Sequence, residues 1–347
     1  MKIALIAPPF LAVPPRSYGG TESFVAQLLK GLKNNDIEVI LYTNGESTAP
    51  VEMRSLYEKE EWPAELPIEQ NLKQLSHAAW AVKDAAGQVD LIHVNSAMAV
   101  AFSRFVDIPF ACTIHTDDER IAEFYSMLPE VSYVTISDFQ RRKLSMPRMR
   151  TIHHGIDRGM YSMREKKQDY LAFLGRVAPP KGVHLAIEVA KKSGIPLKMA
   201  GEIQPTNQEY WESQIKPHVD GKFIEYVGQV NLREKNELLG GARAMVFPIQ
   251  WDEPFGLVLI EAMACGTPVL ATPYGSVCEI VQDGTSGYIC STVDDFVKRA
   301  QGPRIPAETV RSYMEEFFSV ERMTRDYINL YSEILHDGVA ETEQIVA

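Results

Sequence analysis

Long apolar runs are missing from this sequence. No segment approaches the roughly 18 uninterrupted apolar residues that a membrane-spanning helix needs, so no such span is expected. Cysteine is scarce. Cys112, Cys265, Cys278 and Cys290 show no C-x-x-C spacing and no histidine partners, which argues against a zinc site or a disulfide framework and for reduced thiols in a cytoplasmic protein. Positive charge is in deficit, with 35 Lys+Arg against 46 Asp+Glu and a formal net charge of -11. A nucleic-acid reader needs the opposite balance. The start, MKIALIAPP, has too short an apolar run and no small-residue cleavage site, so it reads as a first strand and not a signal peptide. The loop after that strand lacks G-x-G-x-x-G, and the next strand ends Leu41-Tyr42-Thr43 with no acidic residue, so a nicotinamide dinucleotide is a poor fit.

What is present is two rounds of strand–helix alternation, in a chain of 347 residues that is long enough for two domains. Strands are expected at 2–7, 38–42, 90–94, 110–114, 132–136 and 150–152, with helices at 20–33, 70–86 and 117–128. Residues 48–67 read as an irregular acidic excursion. Residues 158–168 are charged and aperiodic and read as the hinge. The pattern then restarts, with strands at 170–174, 197–200, 223–227, 244–247 and 269–271. The expected division is 1–160, 161–318 and a last helix, 319–337, that returns to the first domain; the acidic tail beyond is expected to fray. Its apolar stripe is Met323, Tyr327, Leu330 and Tyr331. Adjacent His153 and His154 would point to opposite faces of a strand, so no metal site is read there.

The most informative stretch is 247–272, FPIQWDEPFGLVLIEAMACGTPVLAT. Gly256–Ala264 reads as a helix, with Pro254 at its mouth and Gly266 as the left-handed residue past its end. Glu253 precedes this helix, and Glu261 would lie two turns on and within ~80° of it around the axis. Between them the amides of Phe255, Gly256, Leu257 and Val258 form a positive helix terminus. A carboxylate, an anion cradle and a second carboxylate suit a ligand with phosphate in the middle and hydroxyl-bearing rings at both ends. Upstream, Arg176 and Lys181 sit five apart in the Gly/Pro loop Leu174–Gly182, a compact anion clamp. His115 stands at the carboxyl end of a strand, followed by Thr116-Asp117. Gly19-Gly20 opens the first helix, where backbone can approach a phosphate. Arg141, Arg142, Lys143, Arg148 and Arg150 form a local basic cluster, read as a solvated helix end, with an anionic membrane or acceptor surface as the alternative.

These phrases resemble one family over nearly the whole chain. E-P-F-G-L-V-L-I-E resembles the E-x7-E signature of retaining GT-B glycosyltransferases, and the surrounding wording resembles family 4, the glycosyl transferases group 1. Pro14-Pro15-x-x-Tyr18-Gly19-Gly20-Thr21-Glu22 resembles the donor-phosphate loop of one branch of it. Gly175-Arg176 to Lys181-Gly182 resembles G-R-x-x-x-x-K-G, and His154-Gly155-Ile156-Asp157 resembles N-G-V-D with His for Asn. The resemblance implies two doubly wound parallel-sheet α/β domains facing across a cleft. It also implies a metal-independent retaining transfer of a hexose from a nucleotide diphosphate sugar, UDP favoured and GDP-mannose open. The acceptor would be a glycan, a lipid-linked sugar or a small molecule. It implies no cofactor beyond the nucleotide-sugar co-substrate, no nucleic-acid partner, and a cytoplasmic enzyme with a weak peripheral contact at the inner membrane face left open. Glu261 would serve the ribose, Arg176 and Lys181 the diphosphate, and Glu253 and His115 the sugar. Loops 201–202 and 226–230 would border the base, and Cys278 would be a small buried residue. A GT-B nucleotide-sugar-binding protein or epimerase without transfer is the alternative.

Overall fold

The computed structural model describes residues 1–16, 19–61, 67–116, 118–144 and 146–346. Tyr18 of the loop phrase and Asp117 after His115 lie outside the described residues. The chain forms two compact units. The first is Met1–Gly155 together with Val320–Ala347, and the second is Ile156–Ser319.

The first unit is built on seven parallel strands: β1 (Lys2–Ile6), β2 (Glu38–Thr43), β3 (Glu52–Ser55), β4 (Leu91–Val94), β5 (Phe110–Ile114), β6 (Ser132–Thr135) and β7 (Met149–Thr151). Their order is β3-β2-β1-β4-β5-β6-β7. The central strands read as unbroken apolar runs because helices cover both faces of a parallel sheet. One covering helix, Gly20–Asn34, buries Phe24, Val25, Leu28, Leu29 and Leu32. Against it lies the C-terminal helix Val320–Val346, which sends Met323, Tyr327, Leu330 and Tyr331 into the same core. The approach is close: a β-carbon on Gly31 would sit 1.7 Å from Thr324 Oγ1. Ser137 caps the helix Asp138–Leu144 by accepting from the Gln140 amide at 3.1 Å.

The second unit has six parallel strands: β8 (Leu171–Leu174), β9 (Leu197–Ala200), β10 (Ile224–Tyr226), β11 (Ala244–Phe247), β12 (Val269–Ala271) and β13 (Gly287–Ile289), ordered β10-β9-β8-β11-β12-β13. Both sheets are doubly wound. Strand order reverses between β1 and β4 in the first and between β8 and β11 in the second.

Several expectations need correction. Two short strands escaped the pattern. β3 lies at a sheet edge inside the supposed excursion, and its alternation is mostly polar because little of it is buried. β13 follows a turn and pairs with β12 at the sheet edge. Residues 158–168 are not a free hinge but part of the second unit. There Ser162 N donates to Asn236 Oδ1 at 2.7 Å, and Lys167 Nζ donates to the carbonyls of Gly240 and Cys265. That desolvation takes the Lys167 ammonium down to about 8. The last helix continues to Val346 and does not fray at 337. Cys278 is exposed, not buried. The helix after 117 spans Glu119–Ser126 and is capped by Asp118. Among the described residues no helix is long and apolar enough to cross a membrane.

Candidate active site

Open α/β sheets bind ligands beyond the carboxyl ends of strands where their order reverses. In the second unit those ends belong to β8 and β11, and from them run the Gly175–Lys181 and Pro248–Gly256 segments. The two are tied backbone to backbone, with Gln250 N donating to the Pro180 carbonyl at 2.7 Å. Gly182 makes the fit sterically obligatory. It holds φ 70°, and a β-carbon there would fall 1.9 Å from the Pro248 carbonyl oxygen. The β11 loop is braced from the other side by Ser276 N to the Glu253 carbonyl at 2.9 Å. Gly275 packs so closely that a β-carbon would meet Glu253 N at 2.3 Å.

The loop delivers Glu253 to Lys181, with Nζ 2.5 Å from Oε2 and both side chains mostly buried. Trp251 Nε1 donates to the same oxygen at 3.0 Å, and its ring lies under the Lys181 ammonium at 4.8 Å. The helix that follows is Leu257–Ala264, with Gly256 as its left-handed N-cap and Gly266 at φ 68° beyond its end. Pro254 therefore lies upstream of the first turn, and Glu253 stands in the loop, so helical arithmetic does not relate it to Glu261. The Phe255 ring is buried against Phe318, and its carbonyl accepts from Ser276 Oγ at 3.0 Å.

Glu261 is buried. Its Oε1 accepts from Lys235 Nζ at 2.6 Å and from the Tyr161 hydroxyl at 2.9 Å, while Oε2 is buried with no partner. A buried carboxylate oxygen without a donor costs free energy unless something supplies one. Burial, reinforced by the Glu261 charge, pushes the Tyr161 hydroxyl well above its ordinary pKa, so it stays a donor. Arg176 Nη1 reaches Gln204 Oε1 at 3.4 Å, and Gln204 in turn donates to Glu202. Arg176 and Lys181 thus flank one loop, and Lys181 is joined to Glu253.

Lys235 and Tyr161 were not legible as functional residues. Lys235 looks like any surface lysine on the helix Leu232–Gly241, and Tyr161 falls in the aperiodic stretch. Each becomes significant only when folding brings it to Glu261.

In the first unit the candidates gather at the carboxyl ends of β1, β4 and β5. His115 Nε2 meets Asn95 Oδ1 at 2.9 Å, and Asn95 Nδ2 donates to the Ile6 carbonyl at 3.2 Å. Since the amide nitrogen is committed, Nε2 must be the protonated nitrogen, and Nδ1 of the neutral ring is an acceptor. The ring packs with Phe24 and His154, and desolvation pulls its pKa down to about 3 although an edge stays at the surface. Gly19, at φ 149°, is the N-cap of the first helix, and a β-carbon there would meet Pro15 Cβ at 2.8 Å. Gly20 has open space where its side chain would be. In the basic cluster Arg150 pairs with Glu333 and Lys143 with Glu119.

Residues 162–301 match the family model described as glycosyl transferases group 1, and residues 18–160 match that of glycosyltransferase family 4. A glycogen synthase of Mycobacterium tuberculosis is 26% identical over 245 residues, 61% of this chain and 58% of its own length, so this chain spans about three-fifths of that relative. The sucrose-phosphate synthase structure from Thermosynechococcus elongatus superposes with a TM-score of 0.81 at 19% identity, over 97% of this chain and 99% of that one. HepE from Anabaena, solved with UDP and glucose, gives 0.74 at 17% identity over 96% and all but 1% of the two chains. These likenesses carry the GT-B fold, and with family models accounting for both halves the chain belongs to the group 1, family 4 glycosyltransferases.

Proposed function

We propose that this chain transfers a hexose from a UDP-sugar to a hydroxyl acceptor with retention of anomeric configuration and without a metal ion. The observation that carries the reading is the buried Glu261 Oε2, which lacks a donor and lies on the helix that follows the loop holding the Lys181–Glu253 pair. Ribose hydroxyls supply what that oxygen lacks. The amides of Gly256, Leu257 and Val258, with Arg176 and Lys181, offset the charge that grows on the leaving diphosphate. Glu253 takes sugar hydroxyls. The bond from the anomeric carbon to phosphate breaks as the bond to the acceptor oxygen forms on the same face, and a donor phosphate oxygen receives the acceptor proton. Within the first unit by itself, His115 offers a neutral hydrogen-bonding ring and Gly20 an open backbone suited to a phosphate. The solved HepE complex, holding UDP and glucose, supports UDP over other nucleotides.

Calorimetric titration with UDP, GDP and ADP in the presence of a chelator tests this. The expected result is tight binding of UDP alone, followed by slow release of an α-configured sugar from the matching UDP-sugar in NMR time courses. E261A should abolish UDP binding, whereas E253A should abolish transfer and leave UDP affinity nearly unchanged. Equal collapse of binding in both variants, or binding of none of the three nucleotides by the wild type, overturns the assignment.

A further inference from the structure

Two side chains converge on a single carboxylate oxygen. Lys181 Nζ at 2.5 Å and Trp251 Nε1 at 3.0 Å both donate to Glu253 Oε2, and among the described residues no side chain donates to Oε1. The indole also offers its face to the lysine ammonium, 4.8 Å from the ring centroid. Glu253 sits in a loop and not on the helix, so helical geometry does not aim it. A carboxylate held only by a mobile lysine could turn about its terminal torsion, because an ammonium is a point charge with no directional fork. An indole N–H is different, since it is one fixed donor on a rigid plane.

We propose that Trp251 is a positioning residue for sugar transfer. Its N–H pins Oε2 of Glu253 so that Oε1 is kept for a sugar hydroxyl of the donor, and its ring holds the Lys181 ammonium in place when the diphosphate draws that cation away from the carboxylate. The proposal rests on the donor-site reading above. It adds that the loop supplies its own orienting group, two residues before the carboxylate that it orients. The Trp251 N–H acts on the sugar end of the site, so losing it alone lowers turnover and leaves nucleotide affinity unchanged.

The chain has four tryptophans, so its indole N–H signals in a 15N-labelled sample are few, and the one lost in W251F is that of Trp251. In the wild type that signal should move when Glu253 is changed to Gln, while the other indole signals stay. A Trp251 signal that ignores E253Q overturns the hydrogen bond without any assay of activity. In kinetics, W251F keeps the ring and loses the donor. It should lower kcat about tenfold, as expected for losing a hydrogen bond to a charged group. Donor KM and UDP affinity should stay within about twofold. W251L, which also removes the ring, should cost more than W251F. Wild-type kcat in W251F, or an equal loss of UDP affinity and turnover, overturns the role of Trp251 and leaves the transferase reading standing. Failure of the wild type to bind UDP at all overturns both.

Discussion

The two units share an architecture and differ in what they bury. The first buries neutral imidazoles: His77 and His93 lie in its interior, His154 is buried, and His115 packs beside it. His93 joins Tyr331 and Thr113, and Thr113 joins Tyr327, in a chain of side-chain contacts of 2.7 to 2.8 Å that fastens the C-terminal helix to β4 and β5. The second buries paired charge: Lys181 with Glu253, and Lys235 with Glu261. The difference teaches how each unit is expected to fail. An uncharged ring satisfied by hydroxyls, as His93 is, holds a core together at neutral pH. Buried ion pairs contribute little net stability, yet removing one partner leaves an uncompensated charge. They are therefore weak evidence of a structural role and better evidence of a site.

The largest effect should come from breaking a pair in the second unit. K181A should reduce transfer by about a hundredfold to a thousandfold, the scale of losing a preorganised group aimed at developing charge. Steady-state kinetics checks this, and a variant within tenfold of wild type would remove Lys181 from the leaving-group site. Next, G182A should weaken UDP binding and lower the melting temperature together, since its β-carbon cannot share space with the Pro248 carbonyl. Unchanged calorimetry would show that the β8 and β11 loops are not locked to each other.

The matching change in the first unit is G31A, which drives a methyl into Thr324. Overpacking of this kind typically costs about 1–3 kcal/mol. The loss should be seen in denaturant unfolding, with UDP affinity of the folded protein unchanged.

Acid sharpens the contrast. Burial holds His77 at about 4 and His93 at about 3, both below the ordinary 6.5. The unfolded chain thus takes up protons near 6.5 that the folded rings refuse. Stability is full above that pH and falls as pH drops towards 4 and then 3, by up to about 1.4 kcal/mol per pH unit for each ring. Glu22 opposes this. Burial raises its carboxyl to about 7, so the folded state holds an extra proton between 4.5 and 7 and gains as pH falls through that window. One carboxyl works against several imidazoles, so the imidazoles prevail. Amide hydrogen exchange at pH 7.5 and pH 5 should show protection lost in the first unit before the second. The smallest effect should be Y331F, which removes one hydroxyl from the His93 contact and should cost about 1 kcal/mol; chemical denaturation resolves a change of that size.

The sequence by itself determined most of the fold and the kind of residue at the site. Parallel strands covered on both faces read as near-continuous apolar runs, and β5, β11 and β12 fall where those runs fall. A glycine past a helix end is favoured at positive φ by backbone geometry, so Gly266 could be read in place. The short edge strand β3 could not, because an exposed strand has no apolar alternation to show. Nor could the relation of Glu253 to Glu261, since the first turn of the helix begins at Leu257 and the loop before it has no period. Which residues hold the two carboxylates was decided only by tertiary structure. Lys235 and Tyr161 reach Glu261 across 26 and 100 residues of chain, and Lys181 reaches Glu253 across 72. Local sequence carries the preferences of a residue for its neighbours along the chain, whereas an ion pair between distant segments exists only once the sheet has set its strand order.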